Sequence, residues 1–286
     1  MDLTMRINSG FKTMSKGQKL IAEYILAHYD KAAFMTAAKL ASRIGVSEST
    51  VVRFADALGY DGYPKLQRAL QEMIRTKLTT VQRIEMTGDQ DEASILQSVF
   101  KTDMANIRST LEEIDPEVFS QVVESIFSAK HIYILGLRSA APLVQFFSYY
   151  LSFIFENITV VTSGVSDVFE QIFRAGEGDL LIGVSFPRYS SRTVEGINFA
   201  KKNGVKIVSI TDSLLSPLAS QADLCLVARS DMASFADSMV AAFSLVNALI
   251  VAIGSRKKDE ISQYFTKLEA VWDEYSVYLG KDRNAN

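Results

Sequence analysis

Two stretches of this chain concentrate groups that bind anions. SFPRYSSRT, residues 185–193, holds Ser185, Tyr189, Ser190, Ser191 and Thr193 around Arg188 and Arg192. GLRSAAP, residues 136–142, holds Arg138 and Ser139 just after Gly136. Guanidinium groups grip carboxylates and phosphates through paired N–H donors, and hydroxyls and free helix-start N–H groups add more. Serines in such places also cap helices with no ligand present. Proton-transfer chemistry is thinly supplied. The two histidines are His28 and His131, and His131 precedes an apolar run, at the end away from these loops. Glu195 follows the second stretch and is placed to act either as a base or as an ordinary helix residue. The sequence contains no metal-ligand cluster and no nucleotide-phosphate loop, so no cofactor is expected.

A third stretch has a different chemistry. In LASRIGVSESTVVRFADALGY, residues 40–60, a helical pattern breaks at Gly45 and a second one starts near Ser47. Leu40, Ala41 and Ile44 form one apolar face, and Val51, Val52, Phe54, Ala55 and Leu58 supply the other. Two helices joined this tightly suit a unit whose second helix enters the DNA major groove. Its early positions, Ser47, Glu48, Ser49, Thr50 and Arg53, are the candidate DNA-contacting residues. Ser, Thr and Arg bond phosphates or bases, while Glu48 either accepts from a cytosine amino group or stabilises the helix start.

The surrounding elements fall into two kinds. Residues 1–80 carry helical patterns and no strand: Ser15 and Gln18 have capping-box spacing, Thr36 can cap the next helix, and Pro64 suits a first helical turn. From 130 on, five apolar β-rich runs appear at 131–137, 158–162, 179–186, 205–211 and 223–228. Helical patterns separate the first four runs, which argues for a parallel sheet covered on both faces. Residues 233–254 and 258–279 read as closing helices. The expected organisation is therefore α plus α/β. An all-α domain spans 1–80, a helical linker including the acidic TGDQDEAS spans 81–114, and a domain with a five-stranded parallel sheet spans 115–286. In a flavodoxin-like strand order, the loops at 136–142 and 185–193 meet where the winding reverses, the usual ligand position. Arg138, Arg188 and Arg192 are then expected to converge on one mouth.

Bulk properties agree with this division. A chain of 286 residues with 48% hydrophobic content and mean hydropathy +0.11 has material for two cores. The net charge of -3 is unevenly spread. Residues 1–80 hold 12 Lys or Arg against 7 Asp or Glu, a net of +5, and the remainder holds 18 against 26, a net of -8. The basic half is the one with the paired short helices. The single cysteine, Cys225, lies in DLCLVA and reads as a packing thiol in a reducing cytoplasm. No hydrophobic leader stands at the start, and the 16-residue run 239–254 is short for a membrane span. With helix 141–155, that run is the candidate interface of a homodimer or homotetramer.

The third stretch also resembles a known family. LASRIGVSESTVVRFADALGYDGYPKLQRAL is similar to the N-terminal domain of the RpiR/MurR family of bacterial transcriptional regulators, in the frame VSxSTVxRFxxxLGYxGYPxL. That resemblance covers about residues 1–77 and implies a winged-helix-like or homeodomain-like helical DNA-binding domain. Residues 115–255 resemble the SIS (sugar isomerase) domain that follows it in such regulators. The first loop is similar to that domain's Gly-x-Gly-x-Ser at Gly136 and Ser139, with Arg138 in place of the second glycine. The second is similar to Ser-x-Ser-Gly-x-Thr at Ser185, Ser190 and Thr193, with FPRY inserted and Ser191 at the glycine. The resemblance implies a regulator that binds double-stranded operator DNA and senses a small anion, a phosphosugar or a carboxylate. The candidate effector residues are Gly136, Arg138, Ser139, Ser185, Arg188, Ser190, Ser191 and Thr193. The alternative is a sugar-phosphate isomerase with an accessory helical domain.

Overall fold

The computed structural model describes residues 3–77, 79–85, 91–232 and 236–279. Residues 87–90 of the acidic linker, 233–235 of the expected helix 233–254, and 280–286 lie outside the described residues. The chain divides into two compact units, Met1–Met86 and Thr87–Asn286.

The first unit is helical throughout its described residues: α1 (Leu3–Gly10), α2 (Lys16–Ala27), α3 (Tyr29–Ala32), α4 (Ala37–Ile44), α5 (Glu48–Ala57), α6 (Tyr63–Lys77) and α7 (Thr80–Glu85). With no strand among them, it shows no β-wing, and of the two expected forms it is the purely helical one. Local capping sets the helix starts. Ser15 and Gln18 close a reciprocal capping box on α2, and Thr36 accepts from the Lys39 N–H at the head of α4. Ile21, Ile25, Leu40, Val51, Phe54, Leu66 and Leu70 are fully buried and form the core. Tyr63 adds a long-range tie, its hydroxyl donating to Met35 O at 2.8 Å. Burial pushes the Tyr63 phenol up to about 12.

The second unit holds α8 (Glu92–Glu113), α9 (Pro116–Ser128), β1 (Ile132–Leu135), α10 (Ala141–Leu151), β2 (Ile158–Val161), α11 (Val168–Gln171), β3 (Leu180–Val184), α12 (Ser191–Lys202), β4 (Lys206–Thr211), β5 (Leu224–Val227), α13 (Val240–Arg256) and α14 (Lys258–Glu274). The five strands pair in parallel in the order β2-β1-β3-β4-β5, the flavodoxin-like order. Alternation along each strand divides the apolar residues between two cores. Ile132, Ile134, Ile182 and Val184 pack with α9, α10 and α13, whereas Tyr133, Leu135 and Leu181 pack with α11 and α12.

One expectation about helices changes. The segment 81–114 is expected as a linker, but α8 is anchored within the second unit. The Asn106 side chain exchanges hydrogen bonds with the Asp231 backbone, and Thr110 Oγ1 accepts from Arg229 N. The helices expected at an interface, α10 and α13, pack one side on the sheet and keep Tyr149, Tyr150, Val240 and Val251 exposed. Phe147, Leu151, Leu245 and Leu249 all lie in that core. No single helix among the described residues is long and apolar enough to cross a membrane.

Phe54 is fully buried at the centre of the helical unit. Phe54→Ala is expected to destabilise that unit by about 3–5 kcal/mol, through lost apolar burial and a residual cavity. Urea titration followed by circular dichroism should then show part of the helical signal melting well before the rest. Unchanged midpoints would mean that Phe54 does not organise the unit.

Candidate functional sites in the helical unit and at the sheet edge

In the helical unit, α4 ends at Gly45, whose φ of +80° is the left-handed conformation that glycine adopts without strain. Two residues later Ser47 caps α5, its Oγ accepting from Thr50 N at 3.2 Å. The same oxygen lies 2.7 Å from Thr50 Oγ1 and 2.9 Å from Ser49 Oγ. Three of the five candidate DNA contacts thus form one hydroxyl cluster over the first turn. Glu48 is exposed in that turn. Arg53 is also exposed, one turn further on, with Nε donating to Ser49 O at 3.3 Å. From α2, Gln18 Nε2 donates to Arg53 O, tying α2 to α5. The arrangement presents hydroxyls, a guanidinium and the free N–H groups of a helix start on one face.

In the sheet unit, the loops after β1 and β3 lie at the carboxyl ends of adjacent strands. Gly136 is held by its N–H to Val161 O at 3.1 Å. A Cβ there would stand 2.6 Å from Val144 Cγ2 and 3.1 Å from Val184 O, so the close approach of α10 and β3 requires glycine. Arg138 follows at φ +58° and Arg188, in the other loop, at φ +62°. These conformations are costly for arginine, and both residues flank the reversal point. The second loop is closed on itself. Ser185 is buried, and its Oγ accepts from Ser190 N at 3.2 Å. Ser190 in turn caps α12 by accepting from Thr193 N at 3.3 Å. Thr193 is 0% exposed, and its Oγ1 has no hydrogen-bond partner. Ser191 is exposed in the first turn of α12.

Three features differ from the sequence reading. Arg192 does not converge on the mouth: it binds Glu195 at 3.1 Å and Asp167 at 3.8 Å and lies over the Phe169 ring. That pairing also occupies Glu195, the candidate base. Ser139 is exposed and stands one place before the position that Gly-x-Gly-x-Ser, counted from Gly136, gives its serine. That position is Ala140, which is buried. The third feature is a carboxylate that the sequence reading missed. Asp212, 1% exposed, follows β4 and accepts from Tyr189 Oη at 2.8 Å and from Thr211 Oγ1 at 3.3 Å. Its only sequence signal is its place at the carboxyl end of a strand beside β3. His131 lies away from the loops, with Nε2 2.8 Å from Thr159 Oγ1.

Both halves have counterparts among known proteins. A profile described as "Helix-turn-helix domain, rpiR family" matches residues 1–77, and one for the SIS domain matches residues 125–252. The fold and these matches define a helix-turn-helix transcriptional regulator with a SIS domain. The chain is 27% identical over 230 residues to the HTH-type transcriptional regulator HexR of Pseudomonas aeruginosa, covering 79% of this chain and 78% of that one. It is 25% identical to HexR of Escherichia coli, over 99% of this chain and all of that one. Among solved structures, the sugar isomerase domain of an RpiR transcription factor from Sphaerobacter thermophilus is 31% identical with TM-score 0.58, covering 60% of this chain and 96% of that one. NanR of Vibrio vulnificus, solved as a complex with ManNAc-6P, shares the fold at 24% identity and TM-score 0.57, over 98% of this chain and all of that one. The chain belongs to the RpiR family.

Cys225 on β5 reports on the carboxylate. Burial, and then the Asp212 charge, push its thiol up from 9.0 to about 11. The unfolded thiol ionises first, so this contribution stabilises the fold fully below about pH 9 and is lost as pH rises through about 11. Iodoacetamide alkylation of the folded protein should therefore be slow at pH 8 and climb steeply toward pH 11. In Asp212→Asn the climb should move to lower pH. An unmoved profile would show that Asp212 is not felt at the thiol.

Proposed function

We propose that this regulator binds double-stranded operator DNA through the start of α5, with Ser47, Glu48, Ser49, Thr50 and Arg53 as the contacting set. Its SIS domain takes a small anionic effector at the mouth formed by Gly136, Arg138, Ser139, Ser185, Arg188, Ser190, Ser191 and Thr193. The effector is a phosphosugar or a small carboxylate, and the protein senses it without turning it over. No cofactor and no membrane take part, and the protein works in the cytoplasm as a homodimer or homotetramer, because two reading helices match two half-sites of an operator.

The observation that carries this reading is the pair of left-handed arginines, Arg138 and Arg188, at the two loops of the strand-order reversal. Strained backbone at a cationic residue in each of the two loops supports a preorganised anion site. Asp212 narrows the ligand further. A buried carboxylate beside this mouth disfavours a bare anion and favours one that also carries hydroxyl donors, as a phosphosugar does. The ManNAc-6P bound by NanR is of that class. Against turnover stands the commitment of the nearby proton acceptors: Glu195 to Arg192, Asp212 to Tyr189 and Thr211, and His131 to Thr159 at the far end of β1.

Two measurements test the proposal. A thermal-shift screen of sugar phosphates and small organic acids should find a stabilising ligand, worth about 2.7 kcal/mol at a hundredfold excess over its Kd. Ser139→Ala with Ser190→Ala should abolish that shift. It should also leave operator affinity near normal, apart from a cap loss of about 1 kcal/mol confined to α12. A retained shift would remove these loops from the site. Separately, Arg53→Ala is expected to weaken operator binding, by about 1–3 kcal/mol with relaxed specificity if it contacts a base, or uniformly across sequences if it contacts a phosphate. Unchanged affinity would take Arg53 out of the interface.

A further inference from the structure

Helix α8 is turned inside out. An ordinary surface helix points its apolar stripe at its own core. The side of α8 that meets the second unit is polar instead: Asp103 accepts from Ser238, Asn106 brackets the Asp231 backbone, and Thr110 and Glu113 hold Arg229. Its apolar residues point outward. Phe100, Met104 and Leu111 are 61–75% exposed, and Ile107 lies between them. Monomers seldom leave so contiguous an apolar row open to water.

The spacing of that row says what fits it. Residues 100, 104, 107 and 111 are separated by four, three and four positions, the a/d repeat of a two-helix seam. Its matching surface is another helix with the same repeat. The flanking charges decide the direction. With Phe100 and Ile107 at d, Lys101 and Arg108 fall at e, and Asp103 falls at g. A parallel pair sets g of one helix beside e of the other one heptad on, placing Asp103, whose Oδ1 also accepts from Ser238, near the second copy's Arg108, which also pairs with its own Glu112 at 2.8 Å. An antiparallel pair sets e against e and brings Lys101 against the second copy's Arg108, a repulsive contact. We propose that the outward face of α8 pairs in parallel with α8 of a second copy of this chain. This rests on the homo-oligomer reading above and moves the interface away from α10 and α13. Because α8 follows the junction at residues 86–87, the pairing brings together the points from which the two helical units extend.

The test uses the full chain. Phe100→Glu with Leu111→Glu changes two exposed positions, and by sedimentation it should raise the dimer dissociation constant at least a hundredfold. A second variant, Leu111→Cys with Cys225→Ser, reads direction and register. Paired in parallel, two copies of position 111 face each other, and mild oxidation should give a covalent dimer. Paired antiparallel about the middle of the row, their Cα atoms would stand roughly 16 Å apart. That is beyond the ~7 Å limit for a disulfide. A Glu variant that keeps the native dimer constant overturns the seam, and so does a dimeric Cys variant that fails to cross-link. Either result leaves the oligomer reading standing. A native chain that sediments as a 31.7 kDa monomer overturns both, and would assign the apolar row to the chain's own helical unit or to a different partner.

Discussion

The parallel pairing of β1 with β3 is the constraint on which the larger unit depends. Ile132 to Leu135 run beside Leu180 to Gly183, and β2 is placed on one side while β4 and β5 go to the other. Chains leaving the two central strands must therefore turn to opposite faces, which opens a crevice between their loops. That geometry demands a residue without a side chain where α10 crosses the end of β1, and Gly136 is there. It also demands that the loop after β3 brace itself, and the Ser185–Ser190–Thr193 chain of hydrogen bonds does so. The crevice is thus a consequence of strand order, and the residues lining it are those that the turn can accommodate.

Charge is handled locally in both units. In the helical unit Lys16, Lys31, Lys39, Arg43, Arg53, Lys65 and Arg68 are exposed, where charge acts over a screening length of about 8–10 Å. At the sheet edge the balance is tighter. Asp212 is buried and must be held by donors such as Tyr189 and Thr211, while Arg138 and Arg188 stand exposed nearby in strained backbone. A buried carboxylate raises the cost of a second negative charge beside it, and the Cys225 thiol, pushed up mainly by burial, is pushed up further by Asp212. Arg192 shows the opposite outcome: with Asp167 and Glu195 within reach and an aromatic ring beneath it, the guanidinium satisfies itself within the fold.

Helix α8 is tied to the segment that follows β5. Its inward polar contacts fall on residues 229–238, the segment directly after β5, and β5 pairs with the strand that ends at Asp212. Ala228 N donates to Thr211 O at 2.8 Å, so the backbone next to the buried carboxylate is one hydrogen bond from the start of that segment.

Much of this was determined by the sequence alone, where the physics is local. Capping at Ser15 and Thr36, the helix break at Gly45, and the five apolar runs all follow from interactions within a few residues, and each is found at its expected place. The continuous apolar runs of the strands, alternating with helical patterns, pointed to the fold class for the same reason. Contacts between distant residues were settled only by the tertiary structure. Asp212 meets Tyr189 across 23 positions, and Arg192 turns to Asp167 rather than to the mouth. Helix α8 buries its polar side against residues more than 115 positions away. A periodic pattern shows that a helix has an apolar face, but carries no record of which way that face points. Direction depends on what the rest of the chain brings alongside, and for α8 that is a row of backbone and side-chain polar groups which only polar partners satisfy.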